Sequence, residues 1–213
     1  MSTSQPLWDY LGEIPDPRSA SGRRYSLQSI LALILVGMTC GKQSLRAIAR
    51  WGRRLSPAQL QIIGIERPSS PSQATMHNLL VRLEPSLLEA ALGKWVQAVA
   101  PEGQRHIAID GKTIKSSATE EYPALHLLSA YCTSSQGVLY QMPVSAKHNE
   151  ISAAKDILSH IPVHGNVISG DAIFCQRELC NDIVKDGGEY LFIVKGNQRV
   201  LFEGIQKIFS PER

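Results

Sequence analysis

Apolar residues recur at helical spacing through the first hundred residues of the chain. The run from Leu27 to Met38 is almost wholly apolar, Ser26 can cap its start and Gly41 can end it, so we predict a buried helix there. The preceding segment GEIPDPRSASGRRYS is predicted to be a loop because it is rich in Pro, Gly and Ser. Further helices are predicted within residues 44–55, 56–65, 73–83 and 86–99.

The period of the pattern changes after the Pro/Gly segment APEGQR, which we predict to be a domain boundary. Three strand-like runs follow, in HIAIDGKTIKS, ALHLLSAYCTS and GVLYQMPVSAK, and then helices alternate with strands. The predicted order is β-β-β-α-β-α-β-α, which is the order of a ribonuclease H-like mixed sheet with helices on its faces. We therefore predict a small all-α domain over residues 1–100 and an α/β domain over residues 101–213.

Charge is distributed unevenly between these two predicted domains. Residues 1–100 hold 11 Lys and Arg against 6 Asp and Glu, a net charge of +5, whereas residues 101–213 hold 11 against 13, a net charge of −2. Such asymmetry favours a nucleic-acid-binding module joined to a domain of another kind. Ordinary solvated helix faces would explain the same numbers, and that alternative stays open.

One helical segment of the basic half carries most of the candidate DNA contacts. In SLRAIARWGRRL an apolar stripe runs beside a basic face formed by Arg46, Arg50, Arg53 and Arg54, which we predict to contact DNA phosphates. Short helices in succession, the last beginning with small polar residues, resemble a helix-turn-helix arrangement. A plain helical bundle would give the same pattern.

Length and composition exclude several other classes of protein. The longest apolar run, Ile30 to Cys40, is shorter than the roughly 20 residues that a membrane-spanning helix needs, and no signal peptide opens the chain, so we expect a cytoplasmic protein without a membrane partner. The four cysteines include no CxxC pair, which favours reduced thiols. The absence of a GxxxxGK[ST] loop argues against nucleotide hydrolysis.

Two aspartates lie in predicted strands that would be neighbours in a ribonuclease H-like sheet. Asp110 follows the run HIAI and Asp171 lies within ISGDAIF, on the first and fourth strands. We expect their carboxylates to face each other and to bind Mg²⁺ or Mn²⁺, which prefer oxygen ligands. Gly111 would let a substrate come near, and Lys112 and Lys115 would attract a phosphate chain. Taken singly, each aspartate is also explained as a turn or helix cap.

Several segments in order resemble a known family over nearly the whole chain. They are PDPR with GRRYSL, PSSPSQATMHNLL, IAIDGKTIKSS, KHNEISA, GDAIFCQ and GGEYLFIVKGNQ. Together they are similar to the insertion-sequence transposases of the ISAs type, which include the H-repeat-associated proteins and belong to the DDE superfamily. The resemblance implies a bacterial, nucleoid-associated enzyme that uses divalent metal to cut and rejoin DNA at the ends of its own element. Its partners would be element ends and target DNA, with a homo-oligomer left open.

The resemblance also implies roles for individual residues. Asp110 and Asp171 match the first two acids of the family, and Lys195, Asn197 and Gln198 match its KGNQ block, which we assign to DNA contact. Two departures are visible: DGKTIKSS has Lys115 and Ser116 where the family often has Arg and Gly-Ser, and the third acid of the family, a glutamate on a helix well beyond KGNQ, has no counterpart. The resemblance therefore predicts a truncated transposase that is inactive alone.

Two other glutamates and two other hypotheses remain. Glu203 on the last predicted helix is the nearest candidate for a third acid, whereas Glu150 is explained by its position at a helix start, where the helix dipole favours it. The first alternative is a non-catalytic DNA-binding remnant that interferes with an intact copy of the element. The second is a compact ribonuclease H-like nuclease that uses Asp110, Asp171 and Glu203.

Overall fold

A computed structural model describes residues 5–21, 23–100, 103–144 and 150–209. The helices of the first part are α1 (Leu7–Gly12), α2 (Leu27–Thr39), α3 (Leu45–Gly52), α4 (Pro57–Ile62), α5 (Gln73–Leu80) and α6 (Pro85–Val99). The second part contains β1 (His106–Ile114), β2 (Leu125–Cys132), β3 (Gly137–Pro143), α7 (Glu150–Leu158), β4 (Val167–Gly170), α8 (Arg177–Lys185), β5 (Glu189–Phe192) and α9 (Arg199–Phe209).

The chain divides into two compact units, one ending at Trp95 and the other starting at Val96. Each has its own core. In the first unit, α2 supplies several fully buried side chains, including Ile30 and Leu33, and α1, α3 and α5 pack against it. In the second unit the core lies between the sheet and helices α7 and α8.

Local capping explains why the helices of the first unit start where they do. The side chain of Ser26 accepts a hydrogen bond from the Ser29 backbone N–H at the start of α2, and Ser72 does the same for Thr75 at the start of α5. Helix α1 is not apparent from the hydrophobic pattern, since six residues are too few to show a period. Helix α5 ends at Leu80, a few residues before the predicted end near Leu83.

The second unit contains a five-stranded mixed sheet with the strand order β3-β2-β1-β4-β5. Strand β1 is antiparallel to β2 and parallel to β4, and β4 is parallel to β5. This arrangement confirms the predicted class, a helical N-terminal part followed by a ribonuclease H-like mixed α/β sheet. It also confirms that the first and fourth strands are neighbours.

Alternation along the strands separates a covered face of the sheet from an exposed one. Ile107 and Ile109 on β1 and Ile168 on β4 are buried under α7 and α8. The opposite face exposes 67% of Leu191 and includes a contact between His106 Nε2 and Ser169 Oγ at 2.6 Å. We call this second face the open face of the sheet.

Candidate active site

The register of the two central strands brings Asp110 and Asp171 to equivalent positions. The parallel β1–β4 ladder pairs Ile109 with Gly170 as its last pair, so the two aspartates are the next residues on each strand. Strand β4 ends at Gly170, and Asp171 therefore follows the strand instead of lying within it as the sequence suggested. Asp110 alternates with the buried Ile109 on β1, which places it on the open face, and Asp171 directly follows the end of β4; both aspartates are exposed.

Asp171 has an internal counter-ion. Lys195 Nζ donates a hydrogen bond to Asp171 Oδ1 at 2.8 Å, with the Lys195 and Asp171 side chains 57% and 55% exposed. This bond, with a second from the Ala172 backbone N–H, holds the pKa of Asp171 below its usual range. The carboxylate is therefore kept ionised, the state in which it would bind a cation.

Asn197 and Gln198 use their side-chain amides on the protein itself. A short 3₁₀ turn, Ala172–Phe174, follows Asp171. Asn197 Nδ2 donates to the Ala172 carbonyl at 3.1 Å, and Gln198 Nε2 donates to the Cys175 carbonyl at 2.9 Å. Two bonds thus fasten the segment after β5 to both ends of the turn after β4. The DNA contact that we predicted for these two residues stays a prediction, and these bonds give them a second explanation, as supports for the Asp171 turn.

Lys112, Lys115 and Glu203, which were also predicted to lie near the aspartates, have different surroundings. Lys112 lies two residues after Asp110 on β1 and so shares the open face, whereas Lys115 lies in a 3₁₀ turn beyond the end of that strand; both lysines are exposed. Glu203, on α9, accepts a hydrogen bond from Arg199 Nε at 2.7 Å, a contact between residues four apart on one helix. Its carboxylate is therefore already paired.

A histidine and a glutamate lie against the residue that follows Asp110, and the sequence did not indicate this pair. His126 Nε2 is 2.7 Å from Glu150 Oε1, and His126 Nδ1 is 2.8 Å from Thr113 Oγ1. A Cβ atom at Gly111 would lie 3.0 Å from both Glu150 Oε1 and His126 Nε2, so glycine leaves the room that this pair occupies. No spacing rule marks His126, because its partners come from another strand and a helix.

A complete metal-binding cluster is not present among the described residues. Within them, no group of three or more His, Cys, Asp or Glu side chains is arranged to hold one metal ion. Asp110 and Asp171 therefore lack a third ligand of these types in the part of the chain that the structure describes. The chemistry of the pair nevertheless fits a hard divalent cation, which prefers carboxylate oxygens and retains water on its other positions.

The predicted DNA-contacting arginines lie in the first unit, on and just after α3. Arg46, Arg50, Arg53 and Arg54 are exposed, and none of them forms an ion pair with any described residue. Arg46 and Arg50 are four residues apart on α3 and so share one side of it, and Arg53 and Arg54 directly follow its last residue, Gly52. They form a basic surface, which we call the α3 surface.

Comparison with known proteins identifies the class of protein that this fold and site define. The profile described as "DDE_Tnp_1-associated" matches residues 8–96, and the profile described as "Transposase DDE domain" matches residues 101–206. Together these two matches cover most of the chain. The chain belongs to the DDE transposase family.

Its relatives include proteins of the H-repeat type. The chain is 34% identical over 203 residues to "Uncharacterized protein in dhlA 3'region" of Xanthobacter autotrophicus, covering 93% of this chain and 68% of the relative. It is 29% identical to "H repeat-associated putative transposase YbfD" of Escherichia coli K12, covering 95% of this chain and 81% of the relative. It is 28% identical to "H repeat-associated putative transposase YhhI" of the same strain, of which it spans only 54%. The resemblance to H-repeat transposases is thereby confirmed.

A solved structure also aligns with the chain. It is described as "Cryo-EM structure of piggyBac transposase synaptic complex with hairpin DNA", and it matches with a TM-score of 0.44 and 13% identity, covering 96% of this chain and 49% of that chain. Separately, none of the helices in the described ranges is both long enough and apolar enough to span a membrane.

Proposed function

We propose that this chain binds the ends of a mobile DNA element and its target, and that it supplies two of the acidic ligands of a metal-dependent site for strand cleavage and transfer. The observation that carries the proposal is the parallel β1–β4 register, whose last pair, Ile109 and Gly170, directly precedes Asp110 and Asp171. Membership of the DDE transposase family supports the same proposal.

Asp110 and Asp171 are the residues that would hold Mg²⁺ or Mn²⁺. Such ions, when bound, polarise a phosphodiester and activate the attacking oxygen. The protein's own part is to position the two carboxylates and to attract the phosphate chain. Lys112 and Lys195 add positive charge near Asp110 and Asp171, respectively, where a negatively charged strand would approach.

We propose further that this chain alone binds DNA but cleaves it poorly. Aligning an attacking oxygen, a phosphate and a leaving oxygen normally requires more ligands than two carboxylates, and a misplacement of about 1 Å can cost on the order of a hundredfold in rate. No third ligand lies with Asp110 and Asp171 among the described residues. The same observation favours the alternative function, a DNA-binding protein that occupies element ends and interferes with an intact copy.

The compact nuclease hypothesis has less support. It requires Glu203 to join Asp110 and Asp171, and Glu203 is instead paired with Arg199 on its own helix. The sign of its charge is right, but its partner would have to be released first.

Cleavage is tested with the purified chain and labelled duplexes that carry the element's own ends, in Mg²⁺ or Mn²⁺. We expect binding without efficient nicking, and we expect Asp110→Asn and Asp171→Asn to leave the binding of DNA largely intact. Efficient nicking that is lost in Glu203→Gln would instead establish the compact nuclease. Failure of the chain to bind these duplexes at all would refute the proposed function in both of its forms.

DNA binding through the α3 surface is tested by the salt dependence of affinity. Each neutralised phosphate contributes about 0.9 to the slope of log affinity against log salt concentration. We expect Arg50→Gln to lower that slope. The matched control is Lys94→Gln, which removes one positive charge from the same unit, where Lys94 Nζ is already paired with Glu13 Oε2 at 3.2 Å. Equal effects of the two variants would mean that net charge, and not the α3 surface, determines binding.

A further inference from the structure

Two loops of the first unit that are far apart in sequence meet to form a basic cleft. Tyr25, at the end of the PDPR–GRRY loop, donates its hydroxyl to the Ser69 carbonyl at 3.0 Å, across 44 positions of sequence. The cleft between the loops has a volume of about 260 Å³. Its lining includes Arg24, Tyr25, Arg67, Ser69, Ser72 and Thr75. We call it the Arg24–Arg67 cleft.

The arginines of this region fall into two groups with different surroundings. Arg18 is bound in two-pronged fashion to Asp16, with an Nη2–Oδ2 distance of 2.8 Å, and it also donates to the Tyr25 carbonyl. Arg23 also lies within ion-pair distance of Asp16. These contacts hold the loop together through Arg18 and Arg23. Asp16 is the only acid of the PDPR–GRRY segment, and it is therefore already occupied by these two arginines.

Arg24 and Arg67 are left without an acidic partner. Neither forms an ion pair with any residue in the described ranges, and no Asp or Glu lines the cleft. Glu66 lines an adjoining concavity that shares Arg24, Tyr25 and Arg67 with the cleft, but Glu66 forms no ion pair with either arginine. Two positive charges that converge on a concave, acid-free surface with several hydroxyl groups are suited to an anion.

Arg67 is held in place in a way that leaves its outer nitrogens available. Its Nε donates to the Arg24 carbonyl at 3.0 Å, and its guanidinium lies over the Tyr25 ring, 5.9 Å from the centroid. Its two Nη groups donate no hydrogen bond to any acceptor in the described ranges. A preordered guanidinium with free N–H donors is the usual means of binding a phosphate.

The position of the cleft indicates which anion would bind there. The cleft lies beside the first residues of α5, and Gln73 and His77 of that helix are exposed on the surface. Backbone contacts position a helix on DNA while the side chains at its start reach base edges. A backbone phosphate at this cleft would therefore place α5 against the duplex.

We propose that the Arg24–Arg67 cleft binds a single backbone phosphodiester of duplex DNA. This inference rests on the proposed DNA-binding function, but it concerns a surface different from the α3 surface. Ser69 and Ser72 line the cleft together with the two arginines. Because the two arginines share one phosphate, their contributions to binding are coupled and not additive.

The first test is the affinity of the full chain for a duplex at several salt concentrations. We expect Arg24→Gln and Arg67→Gln each to weaken binding and to lower the salt slope by about one, and the double variant to lower it hardly further. Arg82→Gln is the matched control, because Arg82 lies outside the cleft, is exposed and forms no ion pair with any described residue. Cleft variants with the slope of the wild-type chain, or an equal effect of Arg82→Gln, would overturn the proposal while leaving DNA binding itself established.

The second test needs no variant and so does not depend on how a variant folds. Phenylglyoxal modifies exposed arginines, and mass spectrometry reports each position. We expect saturating duplex to protect Arg24 and Arg67, with Arg18 slow to react in both states because only 13% of its side chain is exposed. Unchanged modification of Arg24 and Arg67 under saturating duplex refutes the assignment. Protection by millimolar inorganic phosphate but not by duplex would assign the cleft to a small free anion and would equally overturn it.

Discussion

A single methyl group at Gly170 should disturb the place where the two candidate ligands are positioned. Gly170 is the last residue of β4, directly before Asp171, and it pairs with Ile109, directly before Asp110. A Cβ atom added there would lie 2.7 Å from Phe174 Cδ2 and 3.2 Å from the Ile109 carbonyl oxygen. Carbon atoms in favourable contact are about 3.5–4.0 Å apart, so the ring of Phe174 must move by roughly an ångström.

The cost of that movement follows from the burial of Phe174. The ring is 1% exposed and belongs to the core between the sheet and α7 and α8. Overpacking in a dense core costs about 1–3 kcal/mol. At roughly 4 °C per kcal/mol for a unit of this size, Gly170→Ala should lower the melting temperature by about 4–12 °C.

The matched control should have the opposite sign. Gly204 lies within α9, its φ is not positive, and a Cβ atom there would meet nothing within 4 Å. Alanine in a helix is favoured over glycine by about 0.5–1 kcal/mol, so Gly204→Ala should raise the free energy of unfolding. Both variants are measured by thermal and urea unfolding of the same chain.

A double-mutant cycle identifies the cause of the loss. If the clash with the Phe174 ring is responsible, Phe174→Leu should cost less in the Gly170→Ala background than in the wild-type chain, because the smaller side chain makes room for the new methyl. The reasoning would be wrong if Gly170→Ala had the same melting temperature as the wild type, or if the cycle showed no coupling. Either result would mean that the ends of the strands accommodate the methyl group without strain.

Two further predictions concern the ionised aspartates. Lys195→Met removes the main cause of the low pKa of Asp171, so that pKa should rise towards the ordinary value in a carboxyl ¹³C NMR titration, whereas Lys112→Met should leave it unchanged. The hydrogen bond from Arg18 lowers the pKa of Asp16, so its contribution to stability is complete above about pH 4 and is lost as the pH falls through the lower folded value. The difference in melting temperature between wild type and Asp16→Asn should accordingly be largest near neutral pH and vanish in acid.

Local rules were sufficient for most elements of the fold. Ser26 and Ser72 cap helices because the cap bond depends only on residues three positions apart. The β1–β4 neighbourhood also followed from the sequence, because the order of elements limits how a mixed sheet can be connected. The ends of the strands were harder to predict from the sequence. Strands β4 and β5 stop at Gly170 and Phe192, which form the last pair between them, and a hydrophobic pattern does not show which residues pair.

The surroundings of single side chains were the part that sequence could not supply. Asn197 and Gln198 are polar residues in a motif, and polarity alone does not distinguish a side chain that contacts DNA from one that holds a turn of the protein. His126 lies in a strand whose pattern gives no reason to single it out, yet it bonds Glu150 across 24 positions of sequence. Contacts of this length are decided by tertiary packing and leave no periodic trace.

The positive charges of the first unit differ in whether they are paired with a carboxylate, and the net charge alone does not show this. A cation that is already paired with a carboxylate gains less from a phosphate, because binding must first break the existing pair. Asp16 forms ion pairs with Arg18 and Arg23, and Glu13 forms one with Lys94, so these three cations already have partners within the protein. The cations of the α3 surface and of the Arg24–Arg67 cleft have no such partner among the described residues, and neither do Lys42 and Arg82. Because the α3 surface and the cleft each bring several unpaired cations together, phosphate binding by this unit should depend mainly on them. Substitutions at the paired cations should change stability more than they change affinity for DNA.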